Sequence, residues 1–163
     1  MPDLTSAGVP ARGREEHVRG EGPEVILYLD LGCPHCAAAW SGIRELPLEL
    51  VFRHFPVASK HPRAPALHAA TEAAGLQGRF WEMCESIYLD QGHIDDPHLW
   101  ERARSLGLDL DRFERDRRST PVADRVQRDF KGGIRAGVTG TPTAIAGGRM
   151  IARDVVDKLR ALG

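Results

Sequence analysis

The sequence predicts an α/β domain in which a strand-helix-strand unit and a strand-strand-helix unit stand on either side of a block of helices. Three observations carry this prediction. Two apolar runs at 25–29 and 48–55 flank a segment that reads as a helix. Helical periodicity then fills most of 61–137. Two short runs near the C-terminus flank a Gly-Gly turn, which is typical of a β-hairpin.

The composition is that of an ordinary soluble domain. The chain has 163 residues with 42% hydrophobic content, and its 22 basic residues nearly balance 23 acidic ones. This length allows one well-cored domain with an inserted subdomain. The small net charge of −1 gives no reason to expect a nucleic-acid partner. Because no apolar run approaches about 20 residues, membrane insertion is not expected either.

The first 21 residues are predicted to form an N-terminal extension that packs poorly. They are polar and rich in Gly, Arg and Glu, and they lack the apolar centre of a secretory signal. The presence of Met1 favours a cytoplasmic location, with a periplasmic or extracytoplasmic one if a leader has been removed. Three cysteines are too few for a disulfide scaffold at this length.

The first half of the chain reads as a β-α-β unit. The run at 25–29 is almost continuously apolar, which indicates a strand buried on both faces. A turn through 30–32 follows, and Pro34 suits the first helical position because its missing N–H loses no bond there. The helix is expected to continue to about Glu45. With a second strand at 48–55, the crossover should be right-handed.

The second half reads as helices followed by a hairpin and a last helix. Helix signals comprise an Ala-rich run ending at Gly75, a stripe of apolar residues from Phe80, an Asp96 N-cap, a helix over 109–117, one from Thr120 weakened by Gly132-Gly133, and a final one from Asp154. Three tryptophans at helical spacing, Trp40, Trp81 and Trp100, are predicted to be core residues. The predicted organisation is a core of 22–60 and 138–163 with 61–137 inserted.

Cys33 and Cys36 are the candidate catalytic residues. Positions i and i+3 of a helix place β-carbons roughly 5–6 Å apart, and a disulfide spans Cα atoms about 4.4–6.8 Å apart. Cys33 lies at the helix start, where unpaired N–H groups favour a thiolate, and His35 adds a donor nearby. Cys33 is therefore predicted to be the nucleophile and Cys36 the resolving thiol. A thiolate stabilised in this way makes the disulfide form an oxidant.

A structural zinc site is the alternative interpretation of this pair. A closed site needs four ligands, yet the sequence has no second Cys-x-x-Cys. The possible partners lie at no zinc-finger spacing; they are His54, His61, His68 and Cys84. The three histidines fall on a strand end, a loop and a helix, so structural hydrogen bonding is predicted for them. Cys84 lies on an apolar helical stripe and is predicted to be a core residue.

The sequence resembles the DsbA-like thiol–disulfide oxidoreductases. Residues 29–36, Leu-Asp-Leu-Gly-Cys-Pro-His-Cys, resemble their active-site loop, and residues 137–143, Gly-Val-Thr-Gly-Thr-Pro-Thr, resemble their cis-proline loop. The segments 53–56, 61–64 and 80–83 resemble relatives with a helical insert, including the thioredoxin-like domains fused to some sodium/proton antiporters. The resemblance covers roughly 9–163.

This resemblance implies a thioredoxin fold with an inserted helical subdomain, and a protein-disulfide oxidoreductase activity. Cys33, Pro34, His35 and Cys36 would form the catalytic motif. The resemblance further implies a cis peptide at Thr141–Pro142, whose backbone would bind substrate by strand addition. The expected partners are protein or peptide thiol and disulfide substrates and a redox-recycling partner. No cofactor is expected, since electrons pass through the dithiol.

One position departs from the family pattern and leaves the proton route open. Many relatives carry a buried acid six positions before the nucleophile, where this chain has Leu27. Proton transfer at Cys36 would then use water, His35, or Asp30 if its side chain turns inward. The rival enzyme class is the kappa-type glutathione transferases and isomerases, which typically place serine at the nucleophile position. Retention of both cysteines argues against that class.

Overall fold

The computed structural model of the chain describes residues 8–163, which form five strands and seven helices. In chain order they are β1 (His17–Arg19), β2 (Glu24–Leu29), α1 (Pro34–Ile43), β3 (Glu49–His54), α2 (Ala64–Gly75), α3 (Phe80–Leu89), α4 (Asp96–Ser105), α5 (Leu110–Arg117), α6 (Thr120–Ala136), β4 (Thr143–Ala146), β5 (Arg149–Ile151) and α7 (Val155–Arg160). The predicted α/β order and thioredoxin fold are confirmed. No helix among the described residues combines the length and apolar character needed to cross a bilayer.

The sheet has the strand order β1-β3-β2-β4-β5, with β2 at its centre. β2 and β3 are parallel, and the other neighbours are antiparallel. Alternate residues of β2 point to opposite faces. Leu27 belongs to the larger core cluster, with α1, α3 and α7, whereas Ile26 and Tyr28 belong to a smaller cluster on the other face. The prediction that this strand is buried on both faces is therefore confirmed.

Helix α6 covers the smaller face and runs through the two glycines that were expected to weaken it. A β-carbon at Gly133 would lie 2.9 Å from the Tyr28 ring and 3.0 Å from the Phe55 ring. The glycine lets the helix approach the sheet closely, and this packing offsets the low helix propensity of glycine. The helix ends at Gly137, whose φ of 95° suits glycine.

The expectation of a poorly packed extension over 1–21 is wrong for the segment 17–19. This segment forms the edge strand β1, antiparallel to β3. Arg19 lies over the Trp40 ring at 5.5 Å and bonds to Glu85 at 2.7 Å. Three residues are too few to show a strand period in the sequence. Residues 1–7 of the extension lie outside the described residues.

Several smaller expectations also change. Asp95, not Asp96, caps α4 by accepting a hydrogen bond from the His98 N–H at 3.0 Å. Trp100 is 40% exposed and donates its indole N–H to Glu114 at 2.8 Å, so its assignment to the core is wrong. Cys84 is a buried core residue, as predicted. The subdomain boundaries at 60/61 and 137/138 stay a prediction.

Candidate active site

The candidate redox pair, Cys33 and Cys36 (called the redox pair below), lies between the end of β2 and the first turn of α1. Cys33 occupies the N-cap position of α1, with an extended backbone and no side-chain cap bond, and Pro34 begins the helix as predicted. The Cys33 N–H donates to the Asp30 carbonyl at 3.1 Å, which closes the turn. The first N–H groups of a helix have no partner within it. The N-cap position therefore places the Cys33 sulfur beside free donors.

The surroundings of Cys33 stabilise its thiolate. The Cys36 thiol is the strongest influence: its hydrogen bond lowers the pKa of Cys33 to about 5 from an ordinary value of 9.0, although burial acts in the opposite direction. The backbone N–H groups of Cys36 and His35 and the Thr141 hydroxyl lower this pKa further. His35 itself is exposed and acts here through its backbone N–H.

Cys36 has the opposite character. It is fully buried, and burial raises its pKa well above the ordinary value, with a smaller upward contribution from the bond to Cys33. The Asp30 N–H contacts its sulfur at 3.5 Å. At neutral pH this leaves a proton on Cys36 and a charge on Cys33. The two thiols form one coupled pair. Their pKa values differ in the direction that their helix positions predict, with Cys33 the more acidic thiol.

The loop at 140–142 faces the redox pair from the other half of the fold. The Thr141–Pro142 peptide bond is cis, as the resemblance implies. The Thr141 side chain acts on both thiols, since it lowers the pKa of Cys33 and that of Cys36. A shallow cavity of about 350 Å³ lies between this loop, His35 on α1 and the start of α7 at Val155. The structure thus brings the candidate substrate-binding residues beside the candidate catalytic ones.

The side chain of Asp30 turns inward. Asp30 is therefore a candidate for proton transfer at Cys36. Its side chain is fully buried and accepts hydrogen bonds from the Gly32 N–H at 2.8 Å and the Val57 N–H at 2.9 Å. One carboxylate oxygen lies 3.6 Å from Nε2 of His68. Burial raises the pKa of this carboxyl, but the contact with His68 and the two N–H groups outweigh burial and lower it. Leu27 is buried within the sheet.

A buried polar cluster lies behind the same loop, and sequence reasoning found only part of it. Nδ1 of His54 lies 2.7 Å from Nδ1 of His68, so structural hydrogen bonding is confirmed for these two. His61 takes no part in this cluster. Glu72 and His17 complete it: Nε2 of His54 lies 3.1 Å from the Glu72 carboxylate, which His17 also contacts. Glu72 could have been found, because it lies four residues after His68 on one helix face.

Among the described residues, one group of three potential metal ligands lies close together. Its members are His17, His54 and Glu72, whose ligand atoms lie within 4.8 Å of one another. Neither cysteine of the redox pair belongs to it. The zinc interpretation of the pair therefore receives no support from the placement of His54, His61, His68 or Cys84.

A mixed sheet that carries a thiol pair at a helix start, facing a cis-proline loop, defines a thioredoxin-type domain with a candidate redox site. Residues 54–161 match the family model described as a DSBA-like thioredoxin domain, and the chain belongs to this family. The sequence-based resemblance to DsbA-like proteins is confirmed.

The chain is similar in sequence to a segment of proteins named as Na(+)/H(+) antiporters. The Na(+)/H(+) antiporter NhaA 1 of Salinispora arenicola is 39% identical over 149 residues, which are 86% of this chain and 23% of that protein. The chain thus spans about a quarter of the length of the curated relatives it matches.

Solved structures show the same fold. A thioredoxin-like oxidoreductase from Silicibacter pomeroyi is 21% identical, with a TM-score of 0.77, covering 93% of this chain and 95% of that one. The thiol-disulfide exchange protein α-DsbA2 from Wolbachia pipientis is 20% identical, with a TM-score of 0.72, covering 90% and 88%.

Proposed function

We propose that this domain is a thiol–disulfide oxidoreductase that exchanges disulfides with protein or peptide substrates, with Cys33 as the nucleophile. The observation that carries the proposal is the contrast in acidity within the redox pair. The pKa of Cys33 is lowered to about 5, while that of Cys36 is raised by burial. A thiolate that is stable at neutral pH is a good leaving group in thiol–disulfide exchange.

The exchange balances without a cofactor. In the oxidising direction, a substrate thiolate attacks the sulfur of Cys33 in the Cys33–Cys36 disulfide, forms a mixed disulfide, and releases Cys36, which takes up a proton. A second substrate thiolate then attacks the substrate sulfur and releases Cys33 as its thiolate. The substrate has lost two electrons and the redox pair has gained them. A recycling partner must accept these electrons before the next turnover. The stability of the Cys33 thiolate favours this direction.

The loop at 140–142 is the proposed docking site for the substrate backbone. It lies beside the redox pair, and the adjoining cavity offers space for an extended peptide. Main-chain bonds to Thr141 would hold such a peptide by strand addition with little demand on its sequence. Pro34 and His35 are exposed at the mouth of this site and would contact the substrate.

The cytoplasmic location stays a prediction, and it would place an oxidising pair in a reducing compartment.

Trapping of the mixed disulfide tests the function. Cys36→Ala in a Cys84→Ala background should accumulate a covalent complex between Cys33 and a disulfide-bonded peptide, because the resolving thiol is absent. The matched variant Cys33→Ala in the same background should form none. Covalent capture through Cys36, or one equivalent of tightly held zinc in the purified protein with Cys33 unreactive, would overturn the proposal. Stable, stoichiometric binding of glutathione would favour the kappa-type alternative.

A further inference from the structure

A continuous chain of side chains connects the loop at 30–32 with the protein surface. The Leu31 N–H donates to Nε2 of His68 at 2.9 Å, and Nδ1 of His68 meets Nδ1 of His54 at 2.7 Å. Nε2 of His54 lies 3.1 Å from the Glu72 carboxylate, which also contacts Nε2 of His17. We call His68, His54, Glu72 and His17 the histidine chain. Exposure rises along it from 0% at the two inner histidines to 20% at His17.

The partners fix which nitrogen of each inner ring carries the proton. Two groups face Nε2 of His68: the Leu31 N–H at 2.9 Å and the Asp30 carboxylate at 3.6 Å, which is beyond hydrogen-bond distance. A backbone N–H can only donate, so Nε2 accepts from Leu31, and the neutral ring carries its proton on Nδ1. That proton is donated to Nδ1 of His54. His54 then carries its own proton on Nε2 and donates it to Glu72, which as a carboxylate can only accept. One amide at the active-site loop therefore sets the direction of the bonds as far as Glu72.

The charge states agree with this arrangement. Burial lowers the pKa of His54 to about 4 and also lowers that of His68, so both rings are neutral at physiological pH. Burial raises the pKa of Glu72, but hydrogen bonds from His17 and His54 outweigh it and hold this carboxyl ionised. Nε of Arg125 lies 3.7 Å from Glu72 and balances its charge.

The same logic decides against a metal ion at His17, His54 and Glu72. A ligating Nε2 of His54 must be free of its proton, which would move that proton to Nδ1. The chain would then reverse, and Nε2 of His68 would carry a proton that faces the Leu31 N–H at 2.9 Å. The Leu31 N–H would lose its acceptor and face a second donor in a buried site, which is costly even with the Asp30 carboxylate 3.6 Å from the same nitrogen.

The loop that the chain holds also positions the redox pair. The Asp30 N–H contacts the Cys36 sulfur at 3.5 Å, and the Asp30 carbonyl accepts from the Cys33 N–H at 3.1 Å. Both contacts come from the residue next to Leu31. Tyr88 and Gln91 reach this loop through its carbonyls and not its N–H groups, at 3.2 and 3.0 Å. His68 alone receives the Leu31 N–H.

We propose that His68 is a positioning residue of the redox pair. It holds the Leu31 amide, and therefore the backbone that sets the Cys33 and Cys36 sulfurs against each other. His54 and Glu72 fix the orientation and the proton of its ring. This inference rests on the proposed function, because a positioning role matters only if the pair exchanges disulfides. Its tests measure the Cys33 pKa and the histidine protons, and they need no substrate.

Substitution of His68 tests the inference through the acidity of Cys33. His68→Leu removes the acceptor, and the apparent pKa of Cys33, followed by thiolate absorbance, should rise by about one unit or more. His68→Gln offers an amide oxygen near the position of Nε2 and should keep the pKa within about half a unit of the parent. Thr71→Val is the matched control: Thr71 is buried on the same helix and bonds only to the His68 carbonyl. It should leave the Cys33 pKa unchanged.

The outer part of the chain is tested by Glu72→Leu, alone and with His68→Leu. Loss of Glu72 frees the His54 ring to turn, so the Cys33 pKa should rise by a smaller amount. The double variant should show no more than the His68→Leu value, because the two residues act in series. Full additivity, or an unchanged Cys33 pKa in folded His68→Leu, would overturn the inference.

A measurement on the unsubstituted protein completes the test if a variant does not fold. Nitrogen chemical shifts of the imidazoles should show His68 protonated on Nδ1 and His54 protonated on Nε2 at neutral pH. The reverse assignment for either ring would overturn the inference. Neither outcome depends on substrate exchange, so a failure here is distinguishable from a failure of the proposed function.

Discussion

The redox pair and the histidine chain lie on either side of the loop at 30–32, and the fold builds them in different ways. The two cysteines occupy one helical turn, so their proximity is a property of the local sequence. The histidine chain takes His17 from β1, His54 from β3, and His68 and Glu72 from α2. Its members come together only when the sheet and α2 have packed. The reactive thiols are therefore brought together by local sequence, whereas the side chains that hold their loop are brought together by tertiary packing.

The two regions should respond differently to substitution, and Cys33→Ser gives the largest difference. Loss of the nucleophilic sulfur should reduce exchange with a peptide disulfide on the order of a hundredfold or more. Near pH 5, where the Cys33 thiolate contributes little to stability, the free energy of unfolding of the reduced protein should change little, because serine is nearly isosteric and Cys33 lies at a helix start. Turnover assays and urea unfolding measure the two effects. Full activity with Cys33→Ser would remove the redox pair from the account.

His54→Leu should show the opposite pattern. It leaves the buried His68 ring without its acceptor and removes one of the donors to the Glu72 carboxylate, which keeps His17. Unsatisfied buried polar groups of this kind cost about 2–4 kcal/mol in unfolding free energy. Urea unfolding measures this cost. His93→Leu, at an exposed histidine bonded to Asp90, is the matched control and should change stability by less than about 0.5 kcal/mol. Equal effects of the two variants would contradict the assignment of a structural role to the cluster.

The pH dependence of stability also distinguishes the two regions, because only the redox pair loses a titrating group when it is oxidised. The folded pKa of Cys33, about 5, is depressed below its ordinary value of 9.0. Ionised Cys33 therefore stabilises the folded reduced protein fully above pH 9, and this contribution is lost as pH falls through 5. The disulfide form has no such group. The unfolding free energy of the reduced form, minus that of the oxidised form, should therefore decrease as pH falls from 9 to 5. A difference that stays constant over this range would contradict the lowered pKa.

Cys84→Ala should have the smallest effect. Cys84 is a buried core thiol, and burial raises its pKa well above the ordinary value. The substitution should lower the unfolding free energy by about 1 kcal/mol through the small cavity it leaves. Exchange activity should be unchanged. A marked loss of activity, with stability intact, would give this thiol a role that the account denies it.

The sequence predicts the local region well and the tertiary one poorly. The helix start at Pro34 and the doubly buried β2 follow from propensity and hydrophobic pattern. The strand β1 was missed because a three-residue segment of intermediate burial carries no period. The sequence does not determine whether the Asp30 side chain turns inward, because its partners include the Val57 N–H, 27 residues away. A turn preference contains no information about such a contact.

The histidine contacts show the same limit. His54 and His68 fall on a strand and a helix, and their spacing in sequence predicts no shared face. The packing of α2 against the end of β3 makes them neighbours, with ring centroids 4.9 Å apart. Trp100 shows the converse, because its helical spacing suggests the core but its face of α4 is left partly exposed. Periodicity identifies an element, and tertiary packing decides which of its faces is covered.

The most direct test of the central claim is the pH dependence of alkylation of the reduced protein, with the modified residue identified by mass spectrometry. The account predicts that iodoacetamide modifies Cys33, and that the rate follows a single inflection near pH 5. Cys36 and Cys84 should stay unmodified in the folded protein, since both keep their protons at these pH values and are only 0% and 1% exposed, against 4% for Cys33. An inflection near pH 9, or modification of Cys36 ahead of Cys33, would contradict the assignment of Cys33 as the nucleophile.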